Sequence, residues 1–193
     1  QLLGIGYLCK KEQIPVSIAI SSALLAQAFS VTAGLVVSLI LLREYIFDYI
    51  GASLFWAALG ILFSGILMLT IKPQWLEQTL AWLAKKRGKE VKFNIILRPI
   101  DVVRFLIYYG VIWFVIGYAF FLFTNAILPL NPTTIPKMVG IYSAAINLGF
   151  LFVLTPGGIG IREGIITLLL KNAVSTPVAI ASVIAILSRV WIM

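Results

Sequence analysis

Long uncharged stretches alternate with short charged segments along this chain. A helix needs about 20 mostly apolar residues to cross a hydrocarbon core about 30 Å thick, so each long uncharged run predicts a transmembrane helix. The predicted crossings are 18–42, 49–71, 105–127 and 138–154, with a fifth that starts at about residue 177. The pattern therefore predicts an all-α fold, a polytopic bundle of transmembrane helices.

Composition agrees with this pattern. The 193 residues are 61% hydrophobic and 11% charged, with a mean hydropathy of +1.06, whereas soluble domains are about 45–50% apolar and about 25% charged. These values exclude a water-soluble globule. The chain begins with Gln1 and ends at Met193 within an apolar run. We therefore expect residues 1–193 to be a single transmembrane domain, an internal fragment of a longer protein.

The basic residues are concentrated in one loop. The net charge is +8, and the loop 72–104 contains Lys72, Lys85, Lys86, Arg87, Lys89, Lys92, Arg98 and Arg104. Because Lys and Arg are enriched in cytoplasmic loops, we predict that 72–104 is cytoplasmic and that the loops holding Arg43 and Lys137 lie outside. The charge thus indicates a multi-pass protein of the plasma membrane, with no nucleic-acid partner.

The same loop contains a candidate amphipathic helix. Its apolar residues recur at helical spacing and are followed at once by Lys85-Lys86-Arg87; they are Trp75, Leu76, Leu80, Trp82 and Leu83. One interpretation is a helix that lies in the membrane interface and binds anionic headgroups. The other is an ordinary connector with anchoring tryptophans.

Few residues could support catalysis. The chain has no histidine and one cysteine, Cys9, so it cannot form Cys/His zinc sites or Cys-His and Ser-His nucleophile pairs. Glu163 is the only carboxylate deep in an apolar region, which leaves a membrane-embedded transferase without a full set of acids and bases. We expect no enzymatic activity, no cofactor and no metal.

Two segments resemble each other within the chain. Residues 14–29 and 176–191, offset by 162 positions, share Pro, Val, Ile, Ala, Ala and Leu at matching places. Transporters are often built from repeats with the substrate site between them, so we predict an internal repeat; the alternative is chance agreement between apolar segments. Gln27 stands opposite Arg189, so the two halves differ chemically.

The most informative segment is Thr155-Pro156-Gly157-Gly158-Ile159-Gly160-Ile161-Arg162-Glu163-Gly164. Its glycines and proline interrupt a regular helix. Non-helical backbone at membrane depth persists only in packed protein or beside a watery cavity. We predict a broken or re-entrant segment over 155–170. If a helix resumes at residue 161, its N-terminus suits a phosphate or carboxylate.

Three ionisable residues fall in apolar surroundings: Arg162, Glu163 and Arg189. Charges within membrane segments are costly and usually functional. Together the three carry a net charge of +1, which an anionic headgroup would balance. The structural alternative is that Glu163 pairs with Arg189 and holds two helices together.

The Gly-rich segment 155–164 resembles the second-repeat signature of the lysylphosphatidylglycerol synthase transmembrane-region family, also called flippase-like domain proteins. The resemblance continues further along the chain at Pro177-Val178-Ala179 and Ser188-Arg189. Residues 7–17 resemble the stretch that comes directly after the first, similar Gly-rich segment in that family. The resemblance implies a polytopic domain that binds or moves a modified lipid, as in the part of aminoacyl-phospholipid synthases thought to translocate lysylphosphatidylglycerol. It also implies that the substrate-binding residues are Gly157, Gly158, Gly160, Arg162, Glu163 and Arg189.

Two functions are compatible with these features. The leading hypothesis is a protein that binds and translocates an anionic or aminoacylated phospholipid, or a related lipid, across a bacterial or archaeal plasma membrane. The alternative is a non-catalytic membrane subunit that anchors a cytoplasmic glycosyltransferase or lipid synthase through the loop 72–104. The soluble aminoacyltransferase domain of the synthases is absent from this sequence, so their synthetic activity is not expected here.

Overall fold

The computed structural model describes residues 16–49, 51–71, 98–151 and 160–190. This part of the chain forms helices α1 (Val16–Leu41), α2 (Arg43–Tyr49), α3 (Ala52–Ile71), α4 (Pro99–Ile127), α5 (Ile135–Leu151), α6 (Ile161–Ala173) and α7 (Val178–Val190), with a 3₁₀ turn at Pro132–Thr134 before α5. The described residues contain no β-strand. The predicted all-α fold is confirmed.

The helices follow the predicted apolar runs, with differences at their ends. Helix α4 begins at Pro99 rather than at residue 105, because proline suits the first helical turn and Asp101 stabilises the N-terminal end. Its residues Ile100–Ile127 are long and apolar enough to cross a membrane by length and composition. The predicted amphipathic helix lies outside the described residues.

Helix α2 is an element that the sequence pattern did not predict. It carries Arg43, Glu44 and Asp48, and the chain leaves it through Gly51, whose φ is +90°. This left-handed conformation costs glycine little and other residues more. The charged stretch between the first two apolar runs is therefore a short helix followed by a sharp turn.

Helix α5 occupies the centre of the bundle and packs against α1, α4 and α6. The ring of Tyr142 is fully buried and stacks on Phe120 of α4, with 4.5 Å between ring centroids. Close packing depends on glycine: a Cβ on Gly117 of α4 would lie 2.6 Å from the Cα of Val139. Backbones can approach this closely only where one side chain is absent.

Helix α6 runs antiparallel to α5 and ends beside its start. The Lys137 side chain donates a hydrogen bond to the carbonyl oxygen of Ala173 at 3.3 Å. The Asn172 amide donates to the Tyr45 hydroxyl at 3.1 Å, which brings α2 to the same end. The segments with Arg43 and Lys137 therefore lie at one end of the bundle, which agrees with the prediction that their loops lie on one side of a membrane.

The two segments of the predicted repeat are both helical where the structure describes them. Helix α7 begins at Val178, and the carbonyl of the preceding Pro177 accepts a hydrogen bond from the Ala181 N–H at 2.9 Å. The counterpart of Pro177 is Pro15, which lies outside the described residues, and these begin at Val16 within the matching segment of α1. The internal repeat therefore stays a prediction.

Candidate functional site

The candidate site is built around the N-terminus of α6. Gly160 precedes this helix with φ +88° and ψ −44°, a left-handed conformation that favours glycine. A Cβ there would meet no described residue within 4 Å, so the positive φ is the described reason for glycine at this position. The helix that the sequence analysis expected to resume at residue 161 does begin there.

Glu163 uses both carboxylate oxygens in binding the protein itself. Its Oε2 accepts a hydrogen bond from the Gly160 N–H at 2.7 Å, as glutamate often does three residues into a helix. Its Oε1 lies 3.0 Å from Nη1 of Arg189, and the two side chains are 18% and 29% exposed. The pairing that the sequence analysis offered as the structural alternative is present, and it joins α6 to α7.

Arg162 directly precedes Glu163 in the chain but makes different contacts. Its Nη2 donates hydrogen bonds to the Tyr142 hydroxyl at 3.0 Å and to the Ser188 carbonyl at 3.4 Å. The guanidinium carbon is 5.4 Å from the centroid of the Tyr142 ring, within range of a cation–π interaction. All these partners are electrically neutral. No carboxylate in the described part of the chain forms a salt bridge with Arg162.

One nitrogen of Arg162 has unused hydrogen-bonding capacity. The Nε atom is buried and has no hydrogen-bond partner among the described residues. A buried donor without an acceptor costs about 1–3 kcal/mol. Arg162 is thus a partly buried cation whose charge and whose Nε–H both lack a partner among the described residues.

Close contact between α5 and α6 holds Arg162 in place. A Cβ on Gly149 would lie 3.3 Å from the Cβ of Arg162, so glycine allows the two helices to approach. Gly149 and Tyr142 are two helical turns apart and share one face of α5. Gly149, Tyr142 and Ser188 are site residues that were not predicted from the sequence; the shared face of α5 and the adjacency of Ser188 to Arg189 were the available signals.

The structure brings together four of the six residues singled out from the sequence. Gly160, Arg162 and Glu163 form the first turn of α6, and Arg189 reaches them from the end of α7. Gly157 and Gly158 lie outside the described residues. Within the described ranges, no group of three or more His, Cys, Asp or Glu side chains could hold a metal ion. The cluster can offer hydrogen-bond donors and positive charge.

The described residues form an all-helical bundle with one helix of membrane-spanning length and a cationic cluster at the start of another. The family model described as Lysylphosphatidylglycerol synthase TM region matches residues 2–193. The chain belongs to this family and is a membrane protein related to lipid handling. Comparisons with curated proteins and with solved structures give no match.

Proposed function

We propose that this protein binds an anionic or aminoacylated phospholipid at the start of α6 and translocates it across the membrane in which the bundle is embedded. The observation that carries the proposal is Arg162, a partly buried guanidinium with no carboxylate partner among the described residues and a buried Nε that lacks an acceptor. A lipid phosphate supplies both missing features, an anionic charge and acceptor oxygens.

The lengths of the helices support a site at membrane depth. Helix α6 has 13 residues, which at 1.5 Å per residue span about 20 Å, less than a hydrocarbon core of about 30 Å. Its C-terminus lies beside Lys137 at one end of the bundle. If that end marks a membrane surface, Arg162 lies within the bilayer, where an unpaired charge is costly and usually serves a function.

The first turn of α6 adds donors to the charge of Arg162. The first N–H groups of an α-helix have no partner within the helix, and the helix dipole places partial positive charge there. A phosphate at this helix start would therefore receive hydrogen bonds from the guanidinium and from the N–H groups of the first turn other than that of Gly160, which Glu163 already binds. Such sites bind the headgroup without covalent bonds to the lipid.

We further propose that the protein is not an enzyme. Glu163 is committed to the Gly160 N–H and to Arg189, so neither of its oxygens is free to act as a general base. Transport requires only that the lipid bind and be released on the other side, and the cluster suits that task.

The test is lipid movement in liposomes that hold the whole protein. Fluorescent phosphatidylglycerol and fluorescent lysylphosphatidylglycerol are placed in both leaflets, and a membrane-impermeant quencher reports the rate at which each crosses. We expect Arg162→Ala to slow movement by about tenfold or more, because hydrogen bonds to a charged group contribute about 1.5–3 kcal/mol. Arg162→Lys should retain part of the rate, since it keeps the charge and loses the planar fork.

Arg104→Ala is the matched control. Arg104 lies near the start of α4, is 74% exposed and meets Asp101 at 3.7 Å, so its loss should leave transport unchanged. Each variant is first checked for a single elution peak and for its unfolding temperature. Normal transport by a folded Arg162→Ala protein would falsify the assignment of the site. If the wild-type protein moves neither lipid faster than empty liposomes do, the result contradicts translocation. It would then favour the alternative function, a membrane subunit that anchors a cytoplasmic glycosyltransferase or lipid synthase.

A further inference from the structure

A polar cavity lies at the end of the bundle that holds Arg43 and Lys137, at the opposite end of α6 from the candidate site. Its volume is about 290 Å³, near the lower end of the range of about 300–1,000 Å³ that is typical of small-molecule sites. Helices α2, α5 and α6 all contribute to its walls. The residues that supply its polar atoms are Glu44, Tyr45, Asp48, Lys137, Asn172 and Ala173.

We propose that this polar cavity binds a primary ammonium group carried close to an anionic group, as in a zwitterionic lipid headgroup or a small soluble aminophosphate. Glu44 and Asp48 bind the ammonium, and Lys137 binds the anion. The cavity is about 20 Å from the start of α6, measured along a helix of 13 residues. It is therefore a second site, and the proposal does not rest on the proposed function.

The two carboxylates of the cavity lack a basic partner among the described residues. Glu44 and Asp48 are four residues apart in α2 and share one face of that helix. Neither forms a salt bridge within the described ranges. Like charges at this spacing destabilise a helix, and Asp48 also lies in the last turn of α2, where the helix dipole disfavours a negative charge. A cation between the two carboxylates offsets both effects.

Lys137 lines the same cavity, but no salt bridge joins it to either carboxylate in the described part of the chain. Its ammonium instead donates a hydrogen bond to the carbonyl oxygen of Ala173 at 3.3 Å. A lysine ammonium carries three N–H donors, so Lys137 keeps the capacity to bind an anionic oxygen. Charges of both signs therefore line one cavity without pairing with each other, which suits a ligand that carries both signs.

The connections at this end of the bundle contain few charges, and all of these are described. The connections 42–51, 128–134 and 174–177 contain Arg43, Glu44 and Asp48. Arg43 is exposed and forms no salt bridge with a described carboxylate. The charged residues that line the cavity sum to −1 at neutral pH, and the C-terminal end of α6 adds partial negative charge. The cavity therefore favours the ammonium part of the ligand.

A primary ammonium suits the cavity better than a quaternary one. Its N–H groups donate charge-assisted hydrogen bonds to carboxylates, whereas a trimethylammonium group has no N–H and is usually bound by several aromatic rings. Among the described residues, Tyr45 is the one aromatic side chain that lines the cavity. The Asn172 amide donates a hydrogen bond to the Tyr45 hydroxyl at 3.1 Å, and this contact joins α2 to α6 at the cavity wall.

The test is equilibrium binding of radiolabelled glycerophosphoethanolamine to the whole protein in detergent micelles. Glycerol 3-phosphate lacks the ammonium and glycerophosphocholine lacks its N–H groups, so both should compete about tenfold or more weakly, since charge-assisted hydrogen bonds are lost. Phosphatidylethanolamine distinguishes the two sources of the ligand. Displacement at a lower concentration than unlabelled glycerophosphoethanolamine identifies a lipid headgroup, and weaker displacement identifies a soluble ligand; both results support the cavity.

Neutral variants test the role of each charge. Glu44→Gln combined with Asp48→Asn keeps the shape of the side chains and should weaken binding of the probe by about tenfold. Asp101→Asn, near the start of α4, is the matched acidic control and should leave binding unchanged. Lys137→Gln should also weaken binding of the probe. Its control is Lys171→Gln, which changes an exposed lysine outside the cavity lining.

Each variant is first checked for a single elution peak and for its unfolding temperature. If the double variant does not fold, Glu44→Gln and Asp48→Asn are measured separately, and each should show part of the loss. Unchanged binding in the folded acidic variants overturns the proposal, as does equal competition by glycerol 3-phosphate or glycerophosphocholine. Absence of saturable binding to the wild-type protein also overturns it. Failure of lipid movement in liposomes contradicts only the proposed function.

Discussion

Two glycines on α4 have very different surroundings. A Cβ on Gly117 would meet the Cα of Val139 at 2.6 Å, whereas a Cβ on Gly110 would meet nothing within 4 Å in the part of the chain that the structure describes. Both lie in the interior of one helix, two turns apart. The comparison therefore isolates the effect of close packing against α5 from the effect of glycine on the helix itself.

We predict that Gly117→Ala destabilises the protein by about 1–3 kcal/mol, because the added methyl group must push α5 away. Gly110→Ala should be neutral or stabilising by up to about 1 kcal/mol, since alanine is the better helix former. Denaturant unfolding of the two variants in detergent micelles measures both changes. Equal effects would show that α4 and α5 are not in the close contact described.

Some residues of the candidate site can be identified from the sequence, and others cannot. Arg162, Glu163 and Arg189 are identifiable because charges in apolar segments are rare and costly. Tyr142 is not, because a tyrosine in an apolar helix is common and only its contact with Arg162 distinguishes it. Ser188 adjoins Arg189 in the sequence, but only the structure shows that its carbonyl binds Arg162.

Helices α6 and α7 are joined by the contact between Glu163 and Arg189. The two residues are 26 positions apart, and their closest atoms are separated by 3.0 Å. A second acidic residue, Asp101, pairs with Arg104 at 3.7 Å within one exposed stretch of α4. The two pairs have similar chemistry but different burial, so they should differ in their contribution to stability.

We predict that Glu163→Gln lowers the free energy of unfolding by about 1–3 kcal/mol, between the values typical of exposed and of buried pairs. The amide oxygen can still accept from the Gly160 N–H, so the loss reports mainly the contact with Arg189. Asp101→Asn should cost less than about 0.5 kcal/mol. A double-mutant cycle with Arg189→Gln measures the coupling; additive effects would argue against the ion pair.

The whole bundle places the segments with Arg43 and Lys137 at one end. The contacts from Asn172 to Tyr45 and from Lys137 to Ala173 establish this arrangement. The charge distribution predicts that this end faces outward and that the loop 72–104 is cytoplasmic. Which end faces the cytoplasm rests on the charge rule alone, so it requires its own test.

We predict that Pro129→Cys is labelled from outside intact cells by a membrane-impermeant maleimide, whereas Lys89→Cys is labelled only after the membrane is made permeable. Both variants are made in a Cys9→Ser background, which removes the chain's single cysteine. Labelling of both sites, or of neither, in intact cells would contradict the multi-pass topology. The reverse pattern would mean that the orientation is inverted.

The sequence by itself determined the spans of most helices and identified the charged residues of the candidate site. The length of each apolar run sets the length of a helix locally, so α1, α3, α5 and α7 lie close to their predicted spans. The start of α6 is also set locally, because the positive φ of Gly160 is a property of its own stretch of backbone. The sequence pattern does not predict helix α2, because this short charged stretch has no run of apolar residues at helical spacing.

Only the tertiary structure decided which partners the charged residues have. Arg162 and Glu163 are neighbours in the chain, yet one faces Tyr142, 20 positions away, and the other faces Arg189, 26 positions away. Adjacent residues on a helix point in different directions, so their partners depend on which helices pack on each side. The antiparallel return of α6 beside α5, allowed by Gly149, leaves Arg162 as a partly buried cation without a carboxylate partner among the described residues.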